Sequence, residues 1–183
     1  DEVGTKRIAD AFRMWHVYYP ATLHLRTKRG FGNAVLSRWP IVEDSKIILP
    51  NVSLVGRTQR TATAATIQFG SDQVRVYSTH LSTPFDVTPG ARRAQLRAIL
   101  EDAKKFRAVV IGGDMNSGSI GEVARDAGYY WPTERGPRTT RGGRWDHIFL
   151  KGLKVPDGTS AGTINDVRGS SDHRPVWATA LVR

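Results

Sequence analysis

The segment ARRAQLRAILEDAKKF, followed at once by AVVIGGD, restricts the fold more than any other part of the chain. Leu96, Ile99, Leu100 and Ala103 recur at helical spacing with charges on the opposite side, so residues 91–106 read as an amphipathic helix. The short apolar run that follows has the pattern of a strand covered on both faces. A helix that feeds such a strand needs layers on both sides of a sheet, which points to an α/β chain.

The remaining segments fit this class. Ile8, Ala9 and Phe12 at helical spacing after Thr5 predict a helix over 4–13, and WHVYYPA predicts a strand after it. A basic loop, HLRTKRGFG, leads to NAVLSRWPI, a strand stopped by Pro40. Further strands are expected near 44–49, 60–69 and 73–80, the last two joined by a hairpin at GSD. A polar loop, STPFDVTPG, comes before the amphipathic helix. A short helix near 120–127, a Gly/Pro/Arg-rich loop at 134–144, and strands at 145–150 and 175–182 complete the chain. Strands and helices do not alternate regularly, so mixed strand pairing is expected rather than a repeating βαβ array. There is no repeat, low-complexity tract or linker, and 183 residues is the length of one domain.

Composition narrows the chemistry. With no cysteine, disulfides and thiolate metal sites are excluded, leaving oxygen and imidazole as metal ligands. Lys and Arg number 27 against 17 Asp and Glu, a net charge of +10 that favours polyanionic partners such as nucleic acid or phosphorylated lipid surfaces. The excess is spread from Arg7 to Arg183, so a merely soluble basic surface is an equal reading of the charge. No apolar stretch reaches the length of a membrane span, and the first residues read as a polar helix, not a signal peptide. Compartment stays open, and a monomer is expected.

Polar residues sit just beyond several apolar strands. His80 follows VRVYST, Asp114 and Asn116 follow AVVIGG, Asp146 opens DHIFL, and Asp172 with His173 precedes RPVWATALV. Taken singly, each has an ordinary structural reading: a turn aspartate, a strand-capping histidine, a hairpin or salt-bridge residue, a turn before Pro175. Together they suggest one site at one edge of a sheet, with His173 close to Asp114.

GNAVLSRWPI, YSTHLS, VVIGGDMNS, WDHIFLKG and SSDHRPVWA resemble successive motifs of the endonuclease/exonuclease/phosphatase family, the deoxyribonuclease-I-like phosphoesterases, in the family's order. The resemblance runs from about Phe31 to Leu181, and GDMN and SDHRPV are its specific signals. It implies a four-layer sandwich of two packed mixed β-sheets flanked by helices. It also implies hydrolysis of a phosphate ester with a divalent cation, magnesium or manganese, bound through oxygen ligands.

Roles carried over by the resemblance are these. Asp172 would contact the cation, with Asp114 contributing to its shell and aligning the attacking water. Asn116 would donate hydrogen bonds to phosphate or water. His173 would act as base or phosphate-stabilising group, with Asp146 holding its far nitrogen in a hydrogen bond of about 2.7 to 3.0 Å. His80 would donate to a phosphate oxygen or the leaving group. Asn33 and Arg38, in GNAVLSR, have a substrate-rim role and a turn or strand-end role as equal readings.

The departure from the family pattern is at the front. The family opens with a strand ending in Asn, then a helix and a second strand ending in Gln-Glu, whose Glu binds metal. Here DEVGTKRIADAF stands first, so the resemblance implies a protein some tens of residues longer and a weak cation site in the form without that segment. Glu2 is either the metal-binding Glu, with DEV standing for QEV, or a first-turn acid favoured by the helix dipole.

Two functions compete: a metal-dependent phosphodiesterase, nuclease or phosphatase, and a catalytically silent module that binds nucleic acid or phospholipid on the same fold. Substrates within the family include DNA, RNA, phosphoinositides, sphingomyelin and nucleotide-derived compounds. The basic loops HLRTKRGFG and ERGPRTTRGGR favour a polyanion. Trp15, Trp39, Trp131 and Trp145 are read as core residues ahead of base-stacking ones.

Overall fold

The computed structural model describes residues 1–24, 27–54, 57–158 and 160–182. Its centre is a five-stranded sheet in the order β3 (Ile41–Ile48), β4 (Thr61–Phe69), β5 (Asp72–His80), β6 (Val109–Asp114) and β7 (Asp146–Lys151). Neighbours are antiparallel except β5 and β6, which run parallel because α2 (Pro89–Ala103) carries the chain back between them. The β4–β5 hairpin turns at Gly70 and Ser71, with Gly70 at φ 57, a conformation costly to a residue with a Cβ.

Alternation along the strands divides the burial between two cores. Ala62, Ala64, Tyr77, Ile111 and Phe149 face Leu96, Ile99 and Leu100 of α2 and Ala124 of α3 (Gly121–Asp126). On the other face, Ala65 and Ile67 pack against Val17 of β1 (Trp15–Leu23) and Val35 of β2 (Gly30–Ser37). Helix α1 (Glu2–Phe12) covers the β1–β2 pair and buries Ala9. The layers are therefore α1, the β1–β2 pair, the central sheet, and α2 with α3, the four-layer α/β sandwich that the motifs imply. Mixed pairing belongs to the central sheet, whereas β1–β2 and a short pair, β8 (Ala161–Thr163) with β9 (Val176–Ala178), are antiparallel.

The structure departs from the sequence reading at several boundaries. Strand β2 begins at Gly30, inside the segment read as a basic loop, because Gly32 lets the backbone approach closely at a bulge between Pro20 and Thr22. A Cβ on Gly32 would lie 2.1 Å from the Tyr19 carbonyl oxygen. Strand β8, with sequence AGT, has no apolar alternation and forms by pairing with β9. The strand expected over 175–182 shortens to Val176–Ala178, leaving an isolated bridge between Lys154 and Leu181.

Candidate active site

Strand register brings the key residues together. His80 ends β5 and pairs with Asp114 at the end of parallel β6; Asp114 pairs in turn with Asp146 at the start of antiparallel β7. Three chemistry-bearing residues thus lie side by side at one sheet edge, about 4.7–4.9 Å apart from strand to strand. Parallel β5 and β6 contribute their C-terminal ends there, while antiparallel β7 contributes its first residue. Gly113 makes this possible: it sits at φ 148, and a Cβ would fall 1.8 Å from the Thr79 carbonyl oxygen.

His173 reaches this edge from the segment between β8 and β9. Its Nδ1 lies 2.9 Å from Asp146 Oδ2 and 3.1 Å from Oδ1. A carboxylate only accepts, so Nδ1 carries the proton, and Nε2, 3.9 Å from Asp114 Oδ2, faces the site. His80 Nε2 approaches the same oxygen at 3.3 Å. Burial, then the Arg60 guanidinium and His173, push the His80 pKa down to about 4, although Asp86 opposes this. His80 is therefore neutral near pH 7, and its approach to Asp114 is a contact of a neutral ring with the carboxylate, not an ion pair.

Asp114 is held from every side. Its Oδ1 accepts the Asn116 backbone N–H at 2.8 Å, and Oδ2 accepts Asn116 Nδ2 at 3.3 Å. Asn116 is itself buried, adopts a left-handed φ of 49, and also donates Nδ2 to the Leu81 carbonyl at 2.9 Å. Its amide hydrogens are engaged within the protein, one on Asp114, so in the structure it holds that carboxylate in place. Burial pushes the Asp114 pKa up to about 6; the Asn116 N–H opposes this, Asp146 adds to it, and His173 and Arg60 oppose it. The carboxyl thus pays for burial beside a second carboxylate, a cost that a bound cation relieves. Asp114, Asp146 and His173 offer ligand atoms within 4.8 Å of one another, and this oxygen-rich donor set suits a hard dication.

The other candidates lie around this centre. Asp172 is exposed and faces a groove lined by Arg138, Arg141 and Arg174, outside the tight cluster. Glu2 lies in the first turn of α1 and lines a depression with Tyr18, Arg29 and Gly30, also outside the cluster. That depression adjoins Phe31, whose ring stands edge-on to His80 at 5.9 Å. Asn33 donates its amide to the Thr61 carbonyl at 2.8 Å and accepts from Thr63 Oγ1 at 2.7 Å through its own carbonyl, tying β2 to β4. Arg38 follows the far end of β2 from Phe31. Trp131 is core, Trp145 packs over Gly142, and Trp15 and Trp39 are about half exposed.

Sequence reasoning missed four residues of this neighbourhood: Phe31, Arg60, Thr139 and His147. Arg60 is 8% exposed, with its guanidinium 5.9 Å from the Phe31 ring centre and in the field of Asp86 and Asp114. Thr139 Oγ1 accepts from the backbone N–H of Trp145 at 3.1 Å and of Asp146 at 3.2 Å, anchoring the base of the dyad. Beneath them, Trp131 Nε1 donates to His147 Nδ1 at 3.1 Å. The indole N–H only donates, so His147 carries its proton on Nε2 and gives it to the Ser117 and Arg144 carbonyls, each at 3.1 Å. The only signal for His147 was its place next to Asp146.

His147 yields a pH prediction. Burial lowers its pKa from the usual 6.5, with the carbonyls of Ser117 and Arg144 opposing. Below about pH 6.5 the unfolded chain therefore takes up a proton that the folded chain refuses, so stability falls as pH drops through that range. His147→Leu should cost about 1–3 kcal/mol at pH 7.5, because the Trp131 N–H loses its acceptor, and should flatten the acid limb of stability. Urea titrations from about pH 5 to 8 test this; an unchanged acid slope in the variant would contradict the assignment.

The geometry can be set beside known proteins. Solved structures share the fold at low identity. A functionally unknown conserved protein from Enterococcus faecalis aligns at 19% identity and TM-score 0.75, over 97% of this chain and 81% of that one. A mannosyl-6-phosphatase from Bacteroides thetaiotaomicron aligns at 17% and 0.73, over 99% and 82%. Danio rerio TDP2, complexed with single strand DNA product, aligns at 18% and 0.68, over 97% and 81%. No curated protein sequence matches the chain. The model of the Endonuclease/Exonuclease/phosphatase family matches residues 4–173, nearly the whole length, and by that match, with the strand-end cluster of His80, Asp114, Asp146 and His173, the chain belongs to the Endonuclease/Exonuclease/phosphatase family.

Proposed function

We propose that this protein is a divalent-cation-dependent phosphoesterase that hydrolyses a phosphodiester in a polyanionic substrate. The observation that carries the reading is the line Asp146, His173, Asp114, His80 across one sheet edge. Asp146 keeps the His173 proton on Nδ1 and stabilises the imidazolium, so Nε2 is free to take a proton from water or to steady a phosphate oxygen. Asp114 orients the attacking water, and Asn116 holds Asp114 in place. The neutral His80 N–H turns from Asp114 toward a phosphate or leaving oxygen once substrate enters. Arg60, buried beside it, offsets charge that builds on the phosphoryl group.

Asp114, with Asp146 beside it, is the carboxylate of the cluster that would hold magnesium or manganese; Asp172 and Glu2, expected from the sequence to join it, lie outside that cluster. When bound, such an ion neutralises non-bridging phosphate oxygens and favours attack by water. The net charge of +10 and the structural likeness to a protein solved with a DNA product support a polyanionic substrate. The likeness to a mannosyl-6-phosphatase keeps phosphomonoesters within the test. Among the described residues no helix is long and apolar enough to cross a membrane.

The test is hydrolysis of bis(p-nitrophenyl) phosphate and of p-nitrophenyl phosphate with magnesium or manganese, then with EDTA. Cation-dependent release from the diester is the expected result. A folded protein that releases nothing from either ester with any dication would overturn the reading and favour a silent binding module. Equal rates in EDTA would remove the cation from it.

A further inference from the structure

We infer that the arginine-lined groove beside His173 holds a second phosphate of the substrate, one that is not cleaved. The inference rests on the phosphoesterase reading for its meaning but on separate residues. The groove has a volume of about 470 Å³ and is lined by Arg138, Thr139, Thr140, Arg141, Asp172 and Arg174. That volume falls in the range of pockets that take small ligands, roughly 300–1,000 Å³. It has room for a phosphate together with part of its ester.

Groove and dyad share a wall. Arg174 follows His173 in the chain, and its backbone N–H donates to the Thr139 carbonyl at 2.8 Å. The Thr139 hydroxyl in turn accepts from the Asp146 backbone, so a ligand in the groove is registered against the Asp146–His173 pair. The loop is braced by its own hydrogen bonds. The Thr139 and Thr140 backbone N–H groups both reach the Gly143 carbonyl at 3.0 Å, and Thr140 Oγ1 accepts from Gly142 and Gly143 at 3.0 and 3.1 Å. The loop backbone is thus ordered in advance, and the ordering left to binding is that of the arginine side chains.

The arginines around the groove divide into two kinds. Arg144 turns inward and donates to the Gly136 carbonyl at 3.2 Å and to that of Glu134, acting as a brace. Arg138, Arg141 and Arg174 line the groove, are exposed, and form no ion pair with a carboxylate among the described residues, although Arg174 Nη1 also donates to the Arg138 carbonyl at 3.5 Å. Asp172 is the only acid lining it among the described residues, so one carboxylate faces three guanidinium groups. Three guanidinium groups around one cleft with a single carboxylate leave a net positive charge that a bound anion would offset. Planar N–H forks match phosphate oxygens in pairs, which makes phosphate the fitting anion. Two sources carry that chemistry: the next phosphodiester of a nucleic-acid strand, or a second phosphate on a small molecule.

The experiment measures binding without turnover, in EDTA, to wild-type protein and to an Arg138→Ala/Arg141→Ala variant. The first probe is a fluorescein-labelled single strand of about 12 nucleotides, titrated between about 50 and 200 mM NaCl. The variant should lower the slope of log K against log salt by about 0.7 for each phosphate that an arginine no longer neutralises, about 1.4 for both. The second probe is a nucleoside 3′,5′-bisphosphate, compared with a nucleoside 5′-monophosphate as competitor; wild type should prefer the bisphosphate and the variant should not. An Arg7→Ala/Arg97→Ala protein removes equal charge from α1 and α2 and serves as the control.

Weaker binding of the strand alone assigns the groove to a strand's next phosphodiester, weaker binding of the bisphosphate alone to a small molecule, and weaker binding of both supports the shared chemistry. A groove variant that binds like wild type, an equal effect in the control, or no binding of either probe by wild type overturns the inference. Failure of the phosphoesterase reading is read separately, as absent ester hydrolysis with groove binding intact. Both substituted side chains are exposed, and an unchanged thermal melt shows that the variant is folded.

Discussion

Replacing His173 with Ala should lower turnover of the diester by about 10²–10⁴-fold, the range for a positioned acid or base. Asp146→Asn should lower it by about 10–100-fold while barely moving the melting temperature. The two effects have one cause. Asp146 accepts from His173 Nδ1 at 2.9 Å and so directs Nε2 to the site. An Asn at 146 can present its NH₂ to Nδ1 instead, which selects the other tautomer and removes the charge that stabilises imidazolium. Because the pair acts as a unit, the double variant should be no slower than His173→Ala alone. Steady-state kinetics on bis(p-nitrophenyl) phosphate check this. Unchanged turnover in Asp146→Asn would make Asp146 a structural residue, and additive effects in the double variant would separate it from His173.

Gly113→Ala should produce the largest loss of stability, about 3–5 kcal/mol, from a Gly-only backbone conformation together with steric overlap. The added methyl would meet the Thr79 carbonyl oxygen at 1.8 Å, across the β5–β6 register that sets His80 against Asp114. Relief requires the strands to part, so activity should fall with stability. Gly128→Ala is the comparison: Gly128 also has positive φ, 83, but its Cβ would meet nothing within 4 Å, so only the conformational cost of about 1–2 kcal/mol applies. Urea denaturation of both variants gives the difference. Equal destabilisation would mean that the close approach at Gly113 is not a constraint on the sheet.

These two variants also mark the boundary between what residues announce and what packing decides. The α2 helix, the buried β6 strand and the GSD hairpin follow from local periodicity and turn chemistry, and local rules describe them well. The strand-end positions of His80, Asp114 and Asp146 were legible too, because a polar residue that terminates an apolar run can only lie at a sheet edge. The expected Asp146–His173 hydrogen bond is present, and His173 does lie near Asp114. Arg60, Phe31, Thr139 and His147 carried no comparable signal. An arginine before a strand, a threonine in a loop or a histidine inside a motif takes its role from partners contributed by distant segments.

By itself, the sequence determined the α/β class, the helix and strands around the central sheet, and the set of imidazole and oxygen groups available for chemistry, because periodicity and residue type are local properties. Only the tertiary structure decided which of those groups meet. Register across β5, β6 and β7 put His80, Asp114 and Asp146 abreast, and the segment before β9 brought His173 to them. Packing also turned Asn116 inward to hold Asp114 and gave the Asn33 amide to the Thr61 carbonyl. Asp172, one residue from His173, ended in the arginine-lined groove, because the chain bends at these two residues and packing, not the order of residues, sets which side chain faces the site.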